Sequence, residues 1–440
     1  MSAATTVWAR TRALLPRHAD LQAMRRNPRR DLLAGVTVAF VALPLALAFG
    51  VASGVGAGAG LVTAIVAGVV AAVFGGSNLQ ISGPTGAMTV VLLPIVAQFG
   101  TGGVLVVGLL AGIVLIALAF AGAGRSMQYV PLPVVEGFTL GIAVIIGLQQ
   151  VPNALGQPAE GEKVVVSAWN AVVGFVESPD WTTVAITAFV AASMLLALRF
   201  RPGLPVSLPA VVVATFATAT LHLNVATIGA IPTGVPSPSV PQVPWAHLSA
   251  FVVPALAVAA LAALESLLSA TVADGMSVGE RHDPNRELFG QGMANVVVPL
   301  FGGVPATAAI ARTAVNVRTG ARSRLAAVTQ SLALLIVVLV ASQWVSYIPL
   351  AALAGVLLAT VVQMVEVSNL RALLRATRGD ALVLVATAVA TVLFDLVTAV
   401  ILGMAIAGLY ALRQMSRAAH VDEIPLDSRD HGAAEQELLD

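Results

Sequence analysis

The chain has 440 residues, 58% of them hydrophobic and only 10% charged, with a mean hydropathy of +0.91. So few charges cannot cover a water-facing surface, which excludes a soluble domain and points to an integral membrane protein. The formal net charge of +1 gives no reason to expect a nucleic-acid partner, and the lack of cysteine excludes disulfides and thiolate metal sites.

Residues 1–30 carry Arg10, Arg12, Arg17, Arg25, Arg26, Arg29 and Arg30 ahead of the first hydrophobic run, so the positive-inside rule puts the N-terminus in the cytoplasm. No cleavage pattern marks them as a signal peptide. They read either as an amphipathic helix on the bilayer surface, with Trp8, Leu14, Leu15 and Leu21 facing lipid, or as a disordered basic tail. Apolar runs follow at about 32–53, 61–75, 84–98, 103–121, 131–151, 182–198 and 207–223. A second set follows at about 250–272, 288–301, 307–318, 324–345, 348–365, 380–394 and 395–412. Many approach the roughly 20 residues that cross a hydrocarbon core about 30 Å thick, and they lack the strict alternation of barrel strands. Arg413 and Arg417 put the C-terminus in the cytoplasm as well, which requires an even number of crossings.

The expected organisation is therefore a cytoplasmic segment (1–30), a first seven-segment repeat (31–231), a connecting loop (232–249), a second, inverted repeat (250–415) and a cytoplasmic linker (416–440). Five prolines between Ile228 and Leu248 suit an extended surface connection. The polar stretch from Pro152 to Asp180 holds the only lysine, Lys163, and a short surface helix. The charged stretches Asp274–Arg286 and Arg371–Asp380 read most simply as solvated.

Phe74-Gly75-Gly76 and Phe301-Gly302-Gly303 each close an apolar run and precede a small-residue, Pro-containing stretch. Aligning these anchors sets Pro84-Thr85-Gly86 of NLQISGPTGAMTVV beside Ala311-Arg312-Thr313 of VPATAAIARTAVNV. The third crossing of each set is thus short and broken at its start, and an odd number of crossings per repeat orients the two oppositely. A crossing too short to span begins near the membrane midplane, where its first N–H groups lack intrahelical partners and the helix dipole leaves partial positive charge. An anion is the natural occupant of such an end. Two ends facing each other would form a doubly positive pocket, and glycines and prolines near Gly83, Pro84, Gly86 and Pro305 permit an extended lead-in and close ligand approach. Arg312 would add its charge to the second end, although a structural ion pair with a buried carboxylate is a compatible reading. An intramembrane arginine costs about 2.5–3.5 kcal/mol or more to insert, so an idle one is not expected.

Glu265, in FVVPALAVAALAALESLLSATVADG, has Ser266 and Ser269 beside it. It could take up a proton when desolvated, hold a cation when charged, or simply reach cytoplasmic water from a helix end. Glu136 and Asp395 also lie within apolar runs and read as structural. No catalytic triad, metal-spaced cluster or phosphate loop is visible, so no enzymatic activity and no cofactor are expected.

The segments DLLAGVTVAFVALPLALAFGVASG, FGGSNLQISGPTGAM, VEGFTLGIAVIIGLQQVP, LESLLSATVADGM and GGVPATAAIARTAVNVRTGARSRLAA, spread over Asp31 to Met415, together resemble the sulfate permease (SulP) family of anion transporters. These are bacterial relatives of the animal solute carriers that include prestin and pendrin. The resemblance implies an all-α polytopic fold of fourteen segments in two inverted repeats, with core and gate domains and short strands leading into half helices 3 and 10. It implies a small oxyanion or carboxylate bound by Pro84, Thr85, Gly86 and Ala87 at one end and by Ala308, Ala309, Ile310, Ala311 and Arg312 at the other, with Phe49 packed against it. It ties Glu265, with Ser269, to cation coupling.

Three departures bear on this. Leu45 stands where many members have glutamine; Glu265 stands where sodium-coupled bicarbonate members tend to have aspartate; and apolar Ile310 replaces their hydroxyl. The last two favour proton over sodium coupling. Members also continue into a cytoplasmic STAS domain, which would begin where this sequence ends, so a membrane domain without its STAS domain is expected. The expectation is a proton-coupled symporter of sulfate, bicarbonate or dicarboxylate class in the inner (plasma) membrane, as a homodimer. A sodium-coupled bicarbonate symporter and an uncoupled anion channel or exchanger are the alternatives.

Overall fold

The computed structural model describes residues 11–125, 131–161, 163–201, 204–242, 248–277, 281–394 and 396–418. In chain order the helices of the first half are α1 (His18–Arg26), α2 (Pro28–Ala52), α3 (Ala57–Phe74), α4 (Gly86–Ala121), α5 (Leu132–Leu155), α6 (Val164–Glu177), α7 (Trp181–Phe200) and α8 (Ser207–Thr220). Those of the second half are α9 (Leu248–Met276), α10 (Pro284–Val297), α11 (Ile310–Arg318), α12 (Leu325–Val345), α13 (Leu350–Met364), α14 (Val367–Ala376), α15 (Arg378–Leu393) and α16 (Leu396–Ala418). Eight helices among the described residues are long and apolar enough to cross a membrane.

α4 is two helices in one run: Gly100, at φ 68° and ψ −176°, breaks it between the third and fourth segments, a backbone state that glycine adopts without a Cβ penalty. Counting its halves separately gives fourteen segments, seven in each repeat, with α6 and α14 as extra short helices after the fifth segment of each set. Starts follow local chemistry. Asp180 and Asp283 accept hydrogen bonds from the first N–H groups of α7 and α10, Thr377 caps α15, and Pro28 and Pro284 occupy first-turn positions where no donor is lost.

The segments sort into two packing groups. α2, α3, α4, α9, α10, α11 and α12 pack among themselves as the core, while α5, α7, α8, α13, α15 and α16 form the gate. The main contacts between the groups run through α2, against α8 and α13, and through α4 against α5.

Two short strands lie inside the core group: β1 (Ser82–Gly83) pairs antiparallel with β2 (Thr307–Ala308), with Ser82 opposite Ala308 and Gly83 opposite Thr307. The pairing joins the lead-ins of the third and tenth segments, and all four residues are buried. It also corrects the repeat alignment. The half helices begin at Gly86 and Ile310, which sets Pro84 beside Ala308 rather than Ala311. The first lead-in is longer than the second, so anchoring on the Phe-Gly-Gly motifs slips by three residues.

Three expectations at the polar ends change. Residues 18–26 form a docked helix rather than a tail, and Leu14, expected to face lipid, is buried in the main core cluster. Asp274–Arg286 is not simply solvated: Arg286 is 3% exposed and donates to Asp20 at 2.6 Å, and His282 Nδ1 lies 2.7 Å from Asp274. The stretch Arg371–Asp380 is exposed for most of its length but helical, spanning α14 and the start of α15. Trp8, Asp395 and residues 419–440 lie outside the described residues.

Candidate functional site

The two half helices fix the site. The first half of α4, residues 86–99, is about 21 Å long and α11, with nine residues, about 14 Å. Neither is long enough to span a hydrocarbon core, so each can cross only part of it. Neither start carries a side-chain cap. The N-cap of α11 is Ala309, which has no acceptor, and the N-cap of α4 is Thr85, whose hydroxyl turns away and donates to Glu265 Oε2 at 2.8 Å. The first-turn N–H groups of both helices therefore keep their partial positive charge.

Arg312 occupies the first turn of α11 and is 1% exposed. Its Nη2 donates to the Pro84 carbonyl at 2.7 Å, directly before the other helix start, while its Nε and Nη1 are buried without a partner. No ion pair within 4.0 Å joins it to Glu265. A buried guanidinium with two donors unspent carries the desolvation cost of both, of order 1–3 kcal/mol each. Gly83 makes the placement possible: at φ 155°, any Cβ here would stand 2.7 Å from Arg312 Nη1.

Glu265, on α9, lies over the strand pair. Its Oε2 accepts from Thr307 Oγ1 at 2.6 Å as well as from Thr85. Ser269, expected beside it, donates to Thr313 Oγ1 at 3.1 Å, and Thr313 Oγ1 in turn accepts from the Ile81 N–H, so that pair ties α11 and β1 to α9. Ala308 donates its N–H to Ser266 Oγ, and Ala309 its N–H to Ile81 O. Pro84, Thr85, Gly86 and Ala87 are buried, whereas Ile310 and Ala311 at the second start are exposed. Phe49 is buried, with ring carbons 3.2 and 3.6 Å from where a Gly86 Cβ would be.

A protein-family match covers residues 29–387, described as the sulfate permease family. The chain belongs to the sulfate permease family. Among members, YvdB of Bacillus subtilis, named a putative sulfate transporter, is 37% identical over 398 residues, covering 89% of this chain and 75% of that protein. The bicarbonate transporter BicA of Synechocystis is 35% identical over 402 residues, covering 89% and 71%. The solved transmembrane domain of a cyanobacterial BicA superposes with a TM-score of 0.78 at 33% identity, over 85% of this chain and 98% of that one. SLC26A9, at 18% identity and a TM-score of 0.83 over 94% and 70%, shares the fold.

Within this sulfate permease fold, three side chains at the site escaped the sequence reading. Thr307 looks like one small residue of a lead-in, yet supplies the shortest hydrogen bond to Glu265. Thr313 is the joint between α9, α11 and β1. Ile146 comes from the gate helix α5, and its Cδ1 would lie 2.4 Å from a Cβ on Gly86. The period of the lead-in could have flagged Thr307; nothing local to α5 marks Ile146.

Proposed function

We propose that this chain is a secondary active transporter of small anions of the sulfate, bicarbonate or dicarboxylate class, coupled to a proton through Glu265. The carrying observation is the pair of unpartnered Arg312 donors beside two uncapped helix starts. An oxyanion satisfies all of these at once, because it accepts several charge-assisted hydrogen bonds where water supplies none. The names of the relatives, sulfate and bicarbonate transporters, support the substrate class. In this reading Arg312 and the backbone N–H groups after Thr85 and Ala309 hold the anion, Phe49 and Gly86 shape the space, and movement of core against gate exchanges access. It is a transporter rather than an enzyme.

Glu265 sits across the strand pair from Arg312, so a charge taken up there changes the field at the anion without touching it. A second reading, sodium coupling, is favoured by one observation: Thr85 and Thr307 hydroxyls converge on a single Glu265 oxygen, and the same three oxygens suit a small hard cation. The reading further includes a homodimer in the plasma membrane with cytoplasmic termini, supported by family membership and by the arginines flanking the first and last segments.

The test is uptake of labelled sulfate, bicarbonate and dicarboxylates into proteoliposomes under imposed proton or sodium gradients, repeated with Glu265→Gln and Arg312→Ala. Accumulation that follows the proton gradient and is lost in both variants is expected. Transport and anion affinity unchanged in Arg312→Ala would refute the site.

A further inference from the structure

The segment VEGFTLGIAVIIGLQQVP holds a feature that the helix ends and Glu265 do not use. α5 belongs to the gate, and it meets the site through Ile146, whose Cδ1 closes on Gly86. At helical spacing Phe138, Ile142 and Ile146 share that face, and the next positions on the same face are Gln149, Gln150 and Asn153. The face therefore changes from apolar to amide within one turn of the site, about 4.5–6 Å along the axis from Ile146.

The amides are not absorbed by packing. Gln150 is 3% exposed and its Nε2 has no partner, and on Gln149 both Nε2 and Oε1 are buried without one. Gln80, Gln291 and Asn316 in the core spend their amide nitrogens on fixed acceptors, while their amide oxygens and both amide atoms of Gln330 on α12 are buried without a partner; what sets Gln149 and Gln150 apart is their place on the gate, next to each other and one turn from Ile146. Three unpartnered amide atoms in one turn, inside a helix, cost of order 1–3 kcal/mol each unless something polar visits them. Their chemistry narrows the visitor. Two neutral amides donate N–H groups to an anion and accept from its hydration water, yet carry no charge that would trap it. The core end of the site holds a fixed positive charge, and an exit route needs a weaker, uncharged successor.

We propose that Gln149 and Gln150 form a second station for the transported oxyanion, on the gate wall one helical turn beyond the Gly86–Arg312 site. This rests on the anion reading above. When the core slides relative to the gate, Ile146 leaves Gly86 and the amide turn takes its place beside the bound anion. The pair then sets both the rate of release and the discrimination between anions of different hydration.

The experiment uses the reconstituted full chain and initial uptake of labelled sulfate and of labelled bicarbonate. Wild type is compared with Gln149→Met/Gln150→Met, which keeps side-chain volume and removes the amides, and with Arg312→Ala. The Met pair is expected to raise KM about tenfold, the worth of two ordinary hydrogen bonds, and to change the sulfate-to-bicarbonate KM ratio at least threefold. A merely structural role would lower the amount of folded protein and leave that ratio alone. KM values and ratio within twofold of wild type overturn the proposal. Should the double variant not yield monodisperse protein, the two single Met variants decide by the same criterion. Dependence on Arg312 with indifference to the amides sinks this inference alone; indifference to Arg312 sinks the anion reading, and this one with it.

Discussion

Gly83→Ala tests whether the guanidinium must stand where it does. The added Cβ would lie 2.7 Å from Arg312 Nη1 and 3.4 Å from Nη2, with Ala64 Cα also close at 3.3 Å. The strand is held in place, because Ser82 and Gly83 are paired with β2. The guanidinium must therefore withdraw by about 0.7 Å to reach ordinary contact, which stretches or breaks its 2.7 Å bond to Pro84 O. A hydrogen bond from a charged donor is worth about 1.5–3 kcal/mol, so anion KM should rise by roughly 10-fold to 150-fold. A separate strain of about 1–3 kcal/mol, from a non-glycine residue at positive φ, falls on folding rather than on affinity. The assay is initial uptake against anion concentration in proteoliposomes, with thermal unfolding of the same preparation. If Gly83→Ala lowers the unfolding temperature yet leaves KM within twofold of wild type, the position of Arg312 does not hold the anion.

Thr307→Val removes the 2.6 Å donor to Glu265 while leaving Thr85 in place, so gradient-driven accumulation should fall about tenfold with anion KM nearly unchanged, read by uptake with and without an imposed proton gradient. Arg312→Lys keeps the charge but not the planar fork that reaches Pro84, and should recover less than a tenth of wild-type uptake; recovery to half or more would reduce the arginine to a point charge. Asp20→Asn should destabilise the fold by about 2 kcal/mol, since it strips Arg286 of its 2.6 Å carboxylate partner. Partial burial raises the Asp20 pKa, but the Arg286 hydrogen bond, the Arg17 N–H and the charges of Arg324 and Arg286 outweigh it and hold it below the usual aspartate value. A depressed carboxylate stabilises the fold above its unfolded pKa of about 3.9 and loses that contribution as pH falls through the folded value. The gap between wild type and Asp20→Asn in thermal unfolding should thus be full at neutral pH and close below about pH 4.

What the sequence disclosed and what it withheld divide along one physical line. The segments were legible because crossing a membrane imposes a length and a composition on contiguous residues, and the breaks before Gly86 and Ile310 were legible because glycine and proline interrupt those lengths locally. Arg312 stood out because a charge in an apolar segment has no cheap local explanation. The partners were not legible, since each is made by chain closure over long separations: Glu287 is 2% exposed because its carboxylate takes the N–H groups of Gly76 and Ser77, which no pattern near residue 287 announces. The same holds for Thr307 on Glu265 and Ile146 on Gly86. The repeat register slipped by three residues for a related reason. The Phe-Gly-Gly motifs end helices, whereas the quantity that symmetry preserves is the place where the two half helices start, and lead-ins of unequal length separate the one from the other. What the two halves share is therefore the paired strands and the half-helix starts that follow them, and at matching positions Met88 stands in one half and Arg312 in the other, so the side-chain charge beside these starts comes from the second half alone.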